Sequence, residues 1–151
     1  MKAVHVMSLL VIVLTASMVA SARELIHPVQ PRDGKNVVER TGEVLDFQLT
    51  AEREEGGNVL VRLVVPAASR LQKASHLRLE IRKGGKILLW SPLATRAGAD
   101  GATETGLWID ESLAADAFVS FVYDGPKEDR GGMMSYQVAV RDYVKPKRQA
   151  K

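Results

Sequence analysis

The feature that most restricts the fold is an alternation of apolar and polar side chains in several short segments. It is clearest over residues 76–82, HLRLEIR, where Leu77, Leu79 and Ile81 alternate with polar residues. Such alternation places apolar side chains on one side of a β-strand and polar side chains on the other. The paired glycines of KGGK supply the positive φ of a tight hairpin into a second strand over 87–90. These residues therefore predict two antiparallel strands.

Other segments follow the same rule between turn-forming residues. Strands are predicted over 45–49, 58–65, 104–109, 117–123 and 134–144. Helical turns are expected within 67–73 and after Asp110, whose side chain is suited to capping a helix. Seven short strands without a long amphipathic helix predict an all-β fold, a sandwich of about seven antiparallel strands with one or two short helical turns.

The phase of the alternation predicts which side chains face inward. The predicted core consists of Leu45, Phe47, Leu49, Val61, Leu63, Leu77, Leu79, Ile81, Phe118, Val122, Val138 and Val140. The outward phase of the same strands holds polar residues, namely Arg78, Glu80, Gln137 and Arg141. A slip of one residue would exchange the two sets, so the phase predicts that these polar side chains face solvent.

Residues 107–123 resemble the corner between the fifth and sixth strands of fibronectin type III domains. Leu113 precedes an aromatic residue, Phe118, that opens the next strand, where that family has tyrosine. The resemblance implies an immunoglobulin-like sandwich, in which the second and sixth strands are central. The predicted strands 58–65 and 117–123 hold those places, and both are apolar on both sides. The resemblance concerns architecture alone, because many functions share this fold.

The first 22 residues have the pattern of a secretory signal peptide. Lys2 is the only charge before an uncharged stretch, Ala3 to Ala22, that ends in small residues. The pattern predicts cleavage before Arg23 and a protein that acts in the periplasm or outside the cell. The alternative is an uncleaved anchor, since about 20 apolar residues can span a bilayer.

Composition divides the chain into four parts. After residues 1–22, residues 23–42 contain prolines that favour extended backbone, and they predict an arm. Residues 43–144 hold the sandwich, and the basic tail 145–151 is expected to be disordered. The chain has no cysteine and a formal net charge of +3. It therefore has no disulfides, and its charge is too small to indicate a nucleic-acid partner.

The sequence contains no recognisable catalytic or metal-binding pattern. After the leader, the chain has two histidines, His27 and His76, and it lacks a G-x-S-x-G motif. A catalytic zinc normally has three protein ligands, which two histidines do not supply. Asp124, Glu128 and Asp129 share one loop, but their spacing does not match an EF-hand calcium loop. We therefore expect no enzymatic activity, no cofactor and no metal.

The function expected instead is binding, to a protein partner, a second copy or a polymer. The alternative is a small exported enzyme or enzyme inhibitor whose site assembles only in three dimensions. A further candidate is the basic tail, whose charges would attract an anionic polysaccharide or lipid. Its basic residues are Lys145, Lys147, Arg148 and Lys151.

Several strands carry apolar residues in the phase opposite to the core. This candidate interaction face comprises Leu60, Val64, Leu88, Trp90, Val119, Phe121 and Tyr123. Because soluble monomers rarely leave such a patch bare, we expect it to be covered by the arm 23–42, by long Arg and Lys stems, or by another chain. Trp90 and Trp108 are expected in the core, with stacking on sugar rings as the alternative if they are exposed.

Overall fold

The computed structural model describes residues 24–125 and 132–145, which form two β-sheets packed face to face. The predicted all-β sandwich is confirmed. The seven-stranded sheet contains, in spatial order, β3 (Val44–Leu45), β2 (Lys35–Val38), β1 (Leu25–Arg32), β11 (Met134–Ala139), β10 (Ala117–Tyr123), β6 (His76–Lys83) and β7 (Lys86–Pro92). The five-stranded sheet contains β12 (Val144–Lys145), β4 (Gln48–Arg53), β5 (Asn58–Val65), β9 (Thr103–Asp110) and β8 (Arg96–Ala97).

The strand order has an immunoglobulin-like arrangement. The series β4-β5-β9-β8 and β11-β10-β6-β7 match the orders ABED and GFCC′ of those sandwiches. As the resemblance implied, β5 and β10 have a neighbour on each side. The chain changes sheets between β9 and β10. The seven predicted strands correspond to β4–β7 and β9–β11, so the prediction of about seven strands omits the short ones and those of the arm.

Short helical segments connect the strands. The α-helix α1 (Glu111–Ala114) is capped as predicted, since the Ser112 backbone N–H donates to Asp110 Oδ1 at 2.8 Å. The predicted turn within 67–73 is a 3-10 helix (Arg70–Lys73), and Ser69 Oγ accepts a hydrogen bond from the Leu71 N–H. Other 3-10 turns cover Ala99–Gly101 and Val140–Tyr143.

The predicted arm is extended, but it lies inside the seven-stranded sheet. β1 pairs with β2 in an antiparallel hairpin and with β11 in parallel, so that Leu25 lies opposite Met134. Val29 and Val38 are buried in the core. The arm therefore extends the sheet beyond β11 instead of lying across the second apolar face.

Two predicted strands divide between the sheets. The run 45–49 leaves the seven-stranded sheet after β3 and enters the other sheet as β4, and the run 134–144 crosses through a 3-10 turn from β11 to β12. Asn36 joins these crossings, because its Nδ2 donates to the Phe47 carbonyl at 2.6 Å and its Oδ1 accepts from the Tyr143 hydroxyl at 2.7 Å.

The phase predicted for β10 is wrong. Phe121 lies opposite Leu77 and Tyr136, and its ring centroid is 5.3 Å from that of Phe47 across the sandwich. Val119 and Phe121 therefore face inward, whereas Phe118 and Val122 lie on the outer side of the sheet. Both phases of this strand are apolar, so alternation alone does not distinguish them.

Candidate functional site

The seven residues of the candidate interaction face do not share one surface. Val119 and Phe121 are fully buried between the sheets, and Tyr123 is half-buried on the same side. Leu60 and Val64 lie on β5, in the other sheet. Leu88 and Trp90 lie on β7 and are 64% and 60% exposed. Only these last two belong to a continuous exposed apolar surface.

β7 forms one edge of the seven-stranded sheet, and every one of its residues is exposed. Four consecutive apolar side chains, Ile87 to Trp90, point to solvent on both sides of the strand. In the described ranges, no strand pairs with its free edge. The edge strands β3, β8 and β12 have two residues each. Short edges resist unwanted pairing, whereas a long apolar edge invites it.

The outer side of the seven-stranded sheet carries a group of charged and polar side chains, the Glu80 cluster. Its members are Glu24, Arg78, Glu80, Arg82, Ser120 and Gln137. Strand pairing brings them together, because β6 sets Glu80 beside β10, and Ser120 of β10 lies opposite Gln137 of β11. Alternation predicts this outward phase correctly, but the solvent exposure expected for Arg78, Glu80 and Gln137 is wrong, since all three are buried.

Glu80 lies at the centre of the cluster and is fully buried. Its Oε1 accepts hydrogen bonds from Arg78 Nε and, at 3.1 Å, from Ser120 Oγ. Its Oε2 accepts from Arg82 Nε at 2.6 Å and from Gln137 Nε2 at 3.1 Å. Four donors occupy this carboxylate, which explains how a charge is tolerated there.

Glu24 completes the cluster from the start of the described chain. Arg78 Nη2 donates to Glu24 Oε2 at 2.6 Å. Burial raises the pKa of Glu24, but hydrogen bonding to Arg78 and the charges of Arg78 and Arg82 outweigh this effect and lower the pKa below 4.5. Burial likewise lowers the pKa of Arg78, and the two glutamates outweigh it and raise the pKa. The cluster is thus a closed network of paired charges.

The outer side of the five-stranded sheet carries an open groove. It has a volume of about 590 Å3 and is bordered by Trp108, Leu60, Arg62, Arg96, Glu104 and Gly106. Trp108 is 66% exposed, so the core position expected for both tryptophans is wrong. Trp108 and Gly106 lie on β9, while Leu60 and Arg62 lie opposite them on β5.

A smaller cleft of about 260 Å3 lies beside Tyr136, Tyr123, Arg70, Lys73 and Met134. The Arg70 guanidinium lies 5.1 Å from the centroid of the Tyr136 ring, donates to its hydroxyl and pairs with Glu43 at 2.5 Å. Burial raises the pKa of Tyr123 more than the charge of Arg70 lowers it. Arg70 is already paired, whereas Lys73 is exposed and forms no ion pair with any residue that the structure describes.

The other residues considered for chemistry are dispersed. His27 is half-buried, with its ring centroid 5.6 Å from that of Tyr136, and His76 is half-buried at the start of β6. Asp124 lies just after β10, whereas Glu128 and Asp129 lie outside the described residues. Within residues 24–125 and 132–145, His, Asp and Glu side chains form no group of three placed to hold a metal ion.

Two other predictions concern the ends of the chain. Lys145 of the basic tail pairs with Glu52 at 3.4 Å, while Lys147, Arg148 and Lys151 lie outside the described residues, as does the leader 1–22. Among the helices in the described part of the chain, none has the length and apolar character needed to cross a membrane.

Comparisons with known protein families, with curated proteins and with solved structures found no match to this chain. The two surfaces, the β7 edge and the Trp108 groove, are therefore characterised by their own geometry. The sequence alone did not predict that the residues of either surface lie together. The sequence signal for the β7 edge was the apolar run 87–90, and for the groove it was a tryptophan, Trp108, two residues after a glycine, Gly106.

Proposed function

We propose that the protein is an exported, non-catalytic binding module that associates with a second copy of itself through β7. The observation that supports this proposal is the exposure of four consecutive apolar residues on a free sheet edge. Such an edge offers backbone N–H and C=O groups for pairing and apolar side chains for burial on both sides. Both contributions favour an added strand.

The sequence of β7 favours a second copy as the source of that strand. A regular antiparallel pair centred on Leu89 would set Leu88 of each copy opposite Trp90 of the other. The register of β7 against β6 shifts between Ile81 and Arg82, where Leu88 has no partner on β6, and such an irregularity bends the strand locally. Lys86 is the only charge in the strand, and this register places it opposite Pro92. A parallel pair would instead set Lys86 beside Lys86. The edge is therefore self-complementary in the arrangement of a two-fold dimer.

A non-catalytic role accords with the state of the buried carboxylate. Glu80 is fully buried and accepts four hydrogen bonds from the protein, so its oxygens are not in contact with solvent or with an open cleft. The exposed apolar strand, by contrast, is a surface suited to association.

Export is proposed from the leader pattern of residues 1–22. β1 begins at Leu25, so cleavage before Arg23 leaves every described strand in the product. The intact mass of exported protein should equal that of residues 23–151. Retention of the full chain in the membrane fraction would contradict cleavage and favour an anchor.

The self-association is tested by sedimentation velocity on the exported protein. One strand pair buries a small area, so we expect a dimer whose fraction rises with protein concentration. The double substitution Leu88→Lys and Trp90→Lys should give a folded monomer, because it places charges on the edge that must be buried. Trp108→Lys is the matched control, since it changes an equally exposed tryptophan on the other sheet and should leave the dimer intact.

Far-UV circular dichroism should show the same fold for all three proteins. A wild-type protein that stays monomeric at every concentration would overturn self-association. Dimerisation of the double variant to the wild-type extent would exclude β7 as the interface.

A further inference from the structure

Trp108 is held in a fixed position with much of its ring open to solvent. Its Nε1–H donates to Glu54 Oε2 at 2.9 Å, and the ring remains 66% exposed. Leu60, its direct cross-strand neighbour, is only 6% exposed although it lies on the outer side of the sheet. Directly opposite residues in antiparallel strands are in contact range, so Leu60 supports the indole. The result is a rigid aromatic platform.

The space beside this platform is open because residue 106 is glycine. Positions 106 and 108 are two residues apart on β9, so a side chain at position 106 would face the same side of the sheet as Trp108. Gly106 lies opposite Arg62 on β5. A Cβ at position 106 would lie 3.9 Å from Arg62 Cγ, so a larger side chain would project into the groove in front of the arginine. Glycine thus keeps a flat floor between the ring and the guanidinium.

Arg62 is the charged group available in the groove. It is exposed and forms no ion pair with any residue in 24–125 or 132–145. The neighbouring Glu104 is paired with Arg96 at 3.0 Å, so these two charges offset each other. The interior of the groove therefore favours a ligand that carries a negative group beside an uncharged ring.

From these features we propose that the Trp108 groove binds an oligosaccharide that contains uronic-acid units. The C–H face of a pyranose ring would stack on the electron-rich indole face, and the sugar carboxylate would accept paired hydrogen bonds from Arg62. The groove volume of about 590 Å3 lies within the range of ligand sites, and its openness leaves the sugar hydroxyls in water. This site is separate from β7 and does not depend on self-association.

The carboxylates around the groove argue against a nucleic acid. Glu54, whose carboxylate accepts the Trp108 N–H hydrogen bond, would repel the dense negative charge of a phosphate backbone. A uronic-acid chain has one carboxylate on each sugar ring, so one can lie at Arg62 while the ring stacks on Trp108. Arg62 thus selects for acidic units, and Trp108 supplies affinity for the ring.

Isothermal titration calorimetry with a defined oligogalacturonate, and with a neutral cello-oligosaccharide of equal length, tests the proposal. Trp108→Ala should weaken oligogalacturonate binding by about tenfold, in line with the free energy of aromatic stacking. Arg62→Gln should weaken oligogalacturonate binding by a similar factor, and added salt should reduce the affinity of the wild type. The wild type should prefer the acidic ligand.

Two control variants test whether oligogalacturonate binds at the Trp108 groove and not at β7 or at the basic tail. Trp90→Ala should bind as the wild type does, and so should a chain that ends at Lys145. Absence of saturable binding to the wild type, or wild-type binding by Trp108→Ala, would overturn the site. Equal binding of both oligosaccharides would overturn the acidic class, and loss of binding on removal of the tail alone would move the site away from the groove.

Discussion

Trp90 and Trp108 are almost equally exposed, but they lie on opposite sheets among different neighbours. Trp90 is part of an apolar run on a free edge and lies opposite Glu80. Trp108 lies on β9, where its N–H is bound and a glycine keeps the adjacent space open. The comparison shows that exposure alone does not distinguish a protein-association surface from a ligand groove. The neighbouring side chains make that distinction.

The arginines near the two tryptophans differ in the same way. Arg78, in the Glu80 cluster, binds both Glu24 and Glu80 and is buried. Arg62, in the groove, is exposed and has no acidic partner in the described residues. Removal of one partner from a buried network leaves an uncompensated charge and destabilises the fold, whereas a charge in an open groove remains available to a ligand. Substitutions in the two regions should therefore affect different properties.

The largest difference is expected in the free energy of unfolding. Glu80→Ala leaves Arg78 and Arg82 without their shared carboxylate and should lower this free energy by about 3–5 kcal/mol. Urea unfolding followed by far-UV circular dichroism measures the effect. Tryptophan fluorescence is a poor probe of unfolding in this protein, because both indoles are already exposed in the folded state.

Two variants serve as controls for that measurement. Glu52→Ala removes an exposed partner of Lys145 and should cost less than about 1 kcal/mol. Arg62→Ala should change stability by no more than about 0.5 kcal/mol. If Arg62→Ala destabilised the fold as much as Glu80→Ala, the groove arginine would be structural and the contrast between the two regions would be lost.

A smaller effect is expected from pH. The pKa of Glu24 is lower in the folded protein than its ordinary value of 4.5, so its ionised form stabilises the fold above that pH. This contribution is lost as the pH falls through the folded-state pKa. The stability advantage of the wild type over Glu24→Gln should therefore be full at neutral pH and disappear in acid. An advantage that is equal at neutral and acidic pH would show that the Glu24 charge is not its source.

The strands themselves were largely predictable from the sequence. Alternation and turn residues predicted strands over 58–65 and 117–123, which coincide with β5 and β10, and paired glycines predicted the hairpin between β6 and β7. The core positions Leu45, Phe47 and Leu49 are buried as predicted, although the chain changes sheets among them. Local periodicity contains this information because it reflects which side of a strand meets the other sheet.

The candidate site was less predictable because it depends on what lies beside each residue across the sheet. Alternation gave the direction of Glu80 correctly, but its burial arises from Arg78, Arg82, Ser120 and Gln137, of which two lie on other strands. On β10, where both phases are apolar, the predicted phase was the wrong one, and Phe121 faces inward in place of Phe118 and Val122. Similarly, whether a tryptophan is exposed depends on whether its strand is an edge and on its cross-strand neighbours, which the order of residues does not state.

The position of β1 has a consequence for how the chain reaches its folded state. β1 is among the first described segments and β11 among the last, yet the two pair directly in parallel. Contacts so distant along the chain give a high contact order, and such topologies fold slowly. The seven-stranded sheet cannot be completed until almost the whole polypeptide has been synthesised. A chain that remains unfolded for that long would be a suitable substrate for a translocation machinery that passes extended polypeptides.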